Sequence, residues 1–176
     1  MAKRRAKERR NNVTRMLDKA GVPYQAFALP REKLGARETA RLLGVPPELV
    51  FKTIVVERAG GKPVLAVVSG CQEVDVKALA KAVGAKKVHV PSQREAERIT
   101  GLQAGGISPL ALLGRGFTVV LDESALAHEE MHISGGERGL NIRLRVEDFV
   151  RITSASIAQI GRSVPECKNE PKIKKA

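Results

Sequence analysis

The chain has 176 residues, 43% of them hydrophobic, with 31 Lys and Arg against 19 Asp and Glu for a formal net charge of +12. This composition excludes a mainly disordered chain and suits one soluble globular domain with a real core. The longest apolar runs, such as Val64 to Val68, fall far short of the roughly 20 residues of a membrane span, and no apolar segment of a secretory signal follows the basic start. A cytoplasmic protein with no membrane partner is therefore expected, with Cys71 and Cys167 as free thiols.

In chain order, Val13, Met16, Leu17 and Ala20 recur at helical spacing and Gly21 stops them, so a helix is expected over residues 8–20. A short strand follows over 24–29, and Thr39 to Leu43 before Gly44 reads as a second helix. Phe51 to Glu57 and Pro63 to Ser69 are β-branched runs around Ala59-Gly60-Gly61, the pattern of a hairpin. Asp75 caps a helix ended by Gly84, Lys87 to Val90 reads as a strand, and Ser92 to Glu95 is a capping box opening a helix to Thr100. Residues 104–116 read as a loop with one helical turn. Strands are expected over 118–122, 131–133 and 140–144, and short helices over 146–152 and 157–160. Strands and helices alternate without a strict βαβ repeat, which favours a mixed sheet with helices packed on it.

The charge is concentrated at the ends. Residues 1–10 carry six basic side chains against one acidic, and residues 162–176 carry five against two, so eight of the twelve excess charges lie there. The chain divides into a basic arm (1–11), a body (12–162) and a basic, disordered tail (163–176). Basic ends attract phosphate backbones. The absence of Trp, with one Tyr and four Phe, excludes an aromatic base-stacking platform.

His128-Glu129-Glu130-Met131-His132 satisfies the HExxH formula of zinc peptidases. The formula works only on a continuous helix, yet Gly135-Gly136 follows the second His at once, so exposed histidines at a strand entrance are expected and no metal. There is no GxSxG elbow, P-loop or dinucleotide-binding fingerprint. Three features remain. Alternation places Lys52 beside Ile54 and Val56 on an apolar face, where its ammonium either serves a site or snorkels to water. Gly105-Gly106-Ile107-Ser108-Pro109 and Ser134-Gly135-Gly136-Glu137-Arg138-Gly139 could each form a nest of N–H groups or a tight turn.

Phe51-Lys52-Thr53, then Val76-Lys77 through Gly84 to Val88, then Gly105 to Pro109, then Ser134 to Leu140, in this order, resemble the YbaK/EbsC family. Its members are free-standing relatives of the editing domain of bacterial prolyl-tRNA synthetase, and the likeness is to the Cys-tRNA(Pro)/Cys-tRNA deacylases. It implies a single compact α/β domain with a mixed, barrel-like sheet flanked by helices, and a pocket for the aminoacylated 3′ adenosine of tRNA. It also implies Lys52 and Gly105, the latter in the substrate loop, as the catalytic residues. Phe51, Gly106, Ile107, Ser108 and Pro109, and Ser134, Gly135, Gly136, Arg138 and Gly139, are implied as substrate-binding. No cofactor or metal is implied. Aminoacylated tRNA is the implied partner, and prolyl-tRNA synthetase a further candidate. In the Cys-specific members the substrate's own thiol attacks its ester, which explains a site without a protein nucleophile. Sibling families edit Ala-tRNA(Pro) or other mischarged tRNAs, and an inactive tRNA- or synthetase-binding module is the competing reading. Phe51 stands where a Tyr is usual and Asn141 where an acidic residue or Gln is common. Residues 27–34, which match least, lie where selectivity could be set.

Overall fold

The computed structural model describes residues 9–169. The chain opens with α1 (Asn12–Ala20), where the Asn11 side chain accepts from the Thr14 N–H and the Thr14 hydroxyl accepts from the Asn11 N–H. Both donors would otherwise be orphaned at the helix start. Then come β1 (Tyr24–Ala28), α2 (Ala36–Leu43), β2 (Phe51–Arg58), β3 (Val64–Ser69), β4 (Gln72–Val74), α3 (Val76–Ala82), β5 (Val88–His89) and α4 (Gln93–Thr100). The second half holds β6 (Thr118–Asp122), β7 (Glu130–Ser134), β8 (Leu140–Arg145), α5 (Val146–Thr153), β9 (Ser156–Ala158) and β10 (Gly161–Ser163).

The strands form a mixed five-stranded sheet in the order β5-β2-β3-β6-β9, an antiparallel sheet β1-β8-β7 and the pair β10-β4. The expected mixed sheet flanked by helices is present, divided into three sheets and not closed into a single barrel. All six residues of β3 are buried, because this strand is central and covered on both faces. Leu65 and Val67 face a core shared with Leu17, Met131, Ile142 and Phe149, whereas Val64, Ala66 and Val68 face a smaller cluster with Leu79 and Ile160. The hairpin of β2 and β3 pairs Phe51 with Ser69 through Val56 with Val64. On its other edge β2 meets β5 only at Glu57 and Arg58. The near end of that edge, Phe51 to Val55, therefore lies open beside the sheet β1-β8-β7, which it approaches through a single bridge from Val50 to His132.

Three expectations are corrected. The helix expected over 157–160 is instead β9, parallel to β6. Its end is fixed by Asp122, whose Oδ1 accepts the N–H groups of Ile160 and Gly161, so the backbone is held extended by a buried carboxylate. Burial alone would push the Asp122 carboxyl up, but these bonds and those from Ser124 and Gln72 outweigh it and hold it below its ordinary value. Second, residues 163–169 are not a loose tail. The pairing of β10 with β4 brings the Val164 N–H onto the Cys71 carbonyl, and a 3-10 turn over Pro165–Asn169 follows. Third, that turn brings Cys167 to Cys71, with 5.5 Å between their Cα atoms, and the two form a disulfide instead of free thiols. The rest of the expected tail and most of the arm lie outside the described residues.

The crosslink spans 96 residues, but the piece it holds is terminal and can fray once released, which offsets much of the loop-closure benefit. Cys167→Ser, or reduction, is therefore expected to cost about 2 kcal/mol, the low end for native disulfides. Thermal melts with and without reductant measure it, and equal melting temperatures would show that the crosslink constrains nothing.

Candidate functional site: a cleft along the open edge of β2

The open edge of β2 forms one wall of a cleft of about 330 Å³. Its lining comes from Val50 to Val55, from residues between Leu29 and Thr39 and between Val90 and Ala96, from Ala104, Gly105 and Ile107, and from Ser134 with Gly139 to Asn141. Among the described residues no helix is long and apolar enough to cross a membrane, and no cluster of three His, Cys, Asp or Glu could hold a metal.

Lys52 is half-buried in this wall, on the face of β2 that carries Ile54 and Val56 into the smaller core cluster. Burial pushes its ammonium down from the ordinary lysine value, with the Glu73 carboxylate opposing the shift. The cation therefore meets the cleft poorly solvated, which strengthens its interaction with any negative charge that develops there. The neighbouring Thr53 hydroxyl is buried and has no hydrogen-bond partner among the described residues.

The two glycine loops touch one another. A Cβ on Gly106 would lie 2.9 Å from the backbone of Glu137 and 3.0 Å from the Arg138 nitrogen, so only glycine admits this approach. Arg138 reaches across the junction, its Nε donating to the Ala104 carbonyl at 2.7 Å. Gly105 sits at φ 90°, a left-handed conformation other residues rarely adopt, with the Lys33 backbone against it. In the first loop the Gly106 N–H closes a turn on the Gln103 carbonyl, whereas no described residue accepts from the Gly105 N–H. In the second, the Gly135 N–H goes to Leu140 and the Gly136 N–H to the Ser134 hydroxyl, so its paired glycines serve a tight turn and not an anion nest.

Of the residues singled out from the sequence, Phe51, Lys52, Gly105, Ile107, Ser134 and Gly139 line the cleft. Gly106, Ser108, Pro109, Gly135, Gly136 and Arg138 stand behind it. Ser108 is fully buried and caps the turn at Leu110, and Phe51 is packed into the main core. Of the poorly matching segment 27–34, Leu29, Glu32, Lys33 and Leu34 line the cleft. The arm enters here too: Arg9 donates to the Gly139 carbonyl and pairs with Glu137, and the Asn11 amide donates to the Gly135 carbonyl.

The HExxH segment is not helical. His128 closes a 3-10 turn and Glu130–Ser134 is strand β7. His132, expected to be exposed, is 3% exposed, because the turn at Pro47–Leu49 and Val50 cover its face of the sheet. Its Nδ1 lies 2.9 Å from the Asn141 Oδ1, and Phe27 packs on its ring. Burial holds the imidazole below its ordinary pKa, Asn141 opposing and Arg143 adding to the shift.

The model of the aminoacyl-tRNA editing domain matches residues 32–152, which hold β2, both glycine loops and all of the cleft lining except Leu29. The chain belongs to this family. A protein of Enterococcus faecalis named "Putative Cys-tRNA(Pro)/Cys-tRNA(Cys) deacylase EbsC" is 36% identical over 162 residues, covering 91% of this chain and 98% of its own. The editing-domain fold also recurs in solved structures. The crystal structure of hypothetical protein APE2540 superposes with a TM-score of 0.80 at 22% identity, over 86% of this chain and all of its own. That of "a putative trans-editing enzyme for prolyl tRNA synthetase" does so at 0.73 and 22%, over 88% of this chain and all of its own.

Proposed function

We propose that this editing-domain protein is a free-standing deacylase of mischarged tRNA, with Cys-tRNA(Pro) as its preferred substrate and Cys-tRNA(Cys) as a second. The observation that carries this reading is that one cleft is lined both by the half-buried Lys52 and by a glycine loop whose Gly105 N–H has no acceptor among the described residues. The cleft supplies a cation and a donor, and none of its described hydroxyls (Thr39, Thr53, Ser134) is hydrogen-bonded to a His, Asp or Glu that would activate it, which suits a substrate that brings its own nucleophile.

In this mechanism the terminal adenosine enters the cleft with its cysteinyl ester against Lys52. The substrate thiol attacks the ester carbonyl, a C–S bond forms, and the C–O bond to the ribose breaks. The ribose oxygen leaves with the proton that the thiol gave up, and water later opens the cyclic thioester. Lys52 and the Gly105 N–H stabilise the negative oxygen of the tetrahedral intermediate. Ile107, Ser134 and Gly139 shape the wall around the ester, and the glycine-loop junction with Arg138 holds that wall in place. Gly106 supports this geometry through its close approach to Glu137, its own N–H being occupied.

The basic ends act on the tRNA backbone. Arg9 and Asn11 are held at the cleft mouth, and the sequence before them carries the basic residues Lys3, Arg4, Arg5 and Lys7. Removing residues 1–8 is expected to weaken tRNA binding and to reduce the slope of log K against log salt by up to about 3. Filter binding across a salt series measures this, and an unchanged slope would show that the arm does not meet the tRNA.

The function itself is tested by incubating the purified protein with tRNA(Pro) charged with Cys, Ala or Pro. Fastest hydrolysis of the Cys ester is expected. Preference for the Ala ester would assign it to a sibling specificity, and turnover of none would favour a binding module.

A further inference from the structure

Resting on the reading of the cleft as an aminoacyl-ester site, we infer that His132 is a positioning residue that fixes the Asn141 side chain so that its amide N–H₂ is offered to an uncharged acceptor on the substrate. Two strands bring the pair together. The register of β7 on β8 places His132 opposite Arg143 and Ser134 opposite Asn141, so His132, Ser134 and Asn141 share one face of the sheet. Met131, Ile133 and Ile142 fill the core from the other face.

Both members of the pair are 3% exposed, a depth at which polar groups are costly unless they are hydrogen-bonded. An amide oxygen can only accept, so the 2.9 Å contact requires that the His132 Nδ1–H donates to the Asn141 Oδ1. That choice determines which way the amide faces. With its oxygen engaged, Asn141 retains only N–H donors, and no described residue accepts from them, although Asn141 lines the cleft. The Phe27 ring, 5.5 Å from the imidazole and opposite Asn141 in β1, closes the outer side of the pair. The cleft thus offers a neutral donor from β8, a strand of a different sheet from the one that carries Lys52. Such a group suits a carbonyl, ester or hydroxyl oxygen and is unsuited to an ammonium.

The test is a double-mutant cycle on hydrolysis of the preferred aminoacyl-tRNA. His132→Phe keeps an aromatic ring against Phe27 but removes the donor, and Asn141→Ala removes the amide. Each is expected to lower kcat/KM by about 10- to 100-fold, with the double variant no worse than the worse single one. His132→Asn, which can place an N–H near the position of Nδ1, should recover most of the loss. Melting temperatures of all variants separate positioning from unfolding. Costs that multiply in the double variant, or a His132→Phe protein that is folded and fully active, would overturn the assignment. A wild-type protein that hydrolyses no charged tRNA would overturn it together with the editing reading, a result distinct from either of these.

Discussion

Lys52→Ala is expected to lower deacylation by about 10²- to 10³-fold while the protein melts at or above the wild-type temperature. The two halves of this result have one cause. An ammonium aimed at a developing oxyanion in a partly desolvated cleft is worth more than in water, and removing one such group typically costs two to three orders of magnitude. The same desolvation makes the charge a burden on the free protein: burial pushes the Lys52 pKa down, so the folded state pays to keep it protonated. The sign of the pH dependence follows. Below the depressed pKa both states carry the proton and wild type bears the penalty. As pH rises toward the ordinary lysine value the unfolded chain holds more protons than the folded one, and the penalty is released. The stability advantage of Lys52→Ala should therefore shrink at alkaline pH. Wild-type activity should fall on its alkaline limb before an ordinary lysine would titrate. A destabilised variant would point instead to a structural lysine.

Gly106→Ala is expected to lose about 100-fold in kcat/KM and about 1–3 kcal/mol of stability. The new methyl would sit 2.9 Å from the Glu137 Cα and carbonyl carbon, which are main-chain atoms with no rotamer to change. The two glycine loops must then part, and the Arg138 bond to Ala104 and the Gly105 N–H would move with them. Gly135→Ala is the informative contrast. Its methyl would meet the buried Leu140 Cγ at 2.5 Å in the main core, so it should cost stability by overpacking while leaving the contact of the two loops, and with it more of the activity, in place. Melting curves and steady-state kinetics on both variants measure the difference, and a Gly106→Ala protein within threefold of wild-type activity would mean that the loop junction does not position the site.

What was readable in the sequence was local. The β2–β3 hairpin followed from two β-branched runs around Ala59-Gly60-Gly61, and the Asp75 and Ser92 caps start α3 and α4 as expected. Lys52 was visible because a charge broke an apolar alternation. What was missed depends on distant partners. Ser156 to Ala158 is a strand only because β6 offers it an edge and Asp122 holds its end. Cys71 and Cys167 carry no shared motif, and their meeting follows from the pairing of β10 with β4. His132 was expected to be exposed at a strand entrance, and only the covering turn at Pro47–Leu49 buries it. Its one sequence signal was the polar pair it makes with Asn141 on adjacent strands, invisible until the β7–β8 register is known. The paired glycines of the second loop could be read as nest or turn, and the hydrogen bonds of Gly135 and Gly136 decide for the turn.

The central claim is that the substrate supplies the nucleophile and the cleft supplies only position and charge. It is tested most directly by single-turnover hydrolysis of tRNA(Pro) charged with cysteine against the same tRNA charged with S-methylcysteine. The expected result is rapid cleavage of the cysteinyl ester and a rate for the methylated ester at the level of the uncatalysed control. Equal cleavage of the two would contradict the claim and require a nucleophile from the protein or from water.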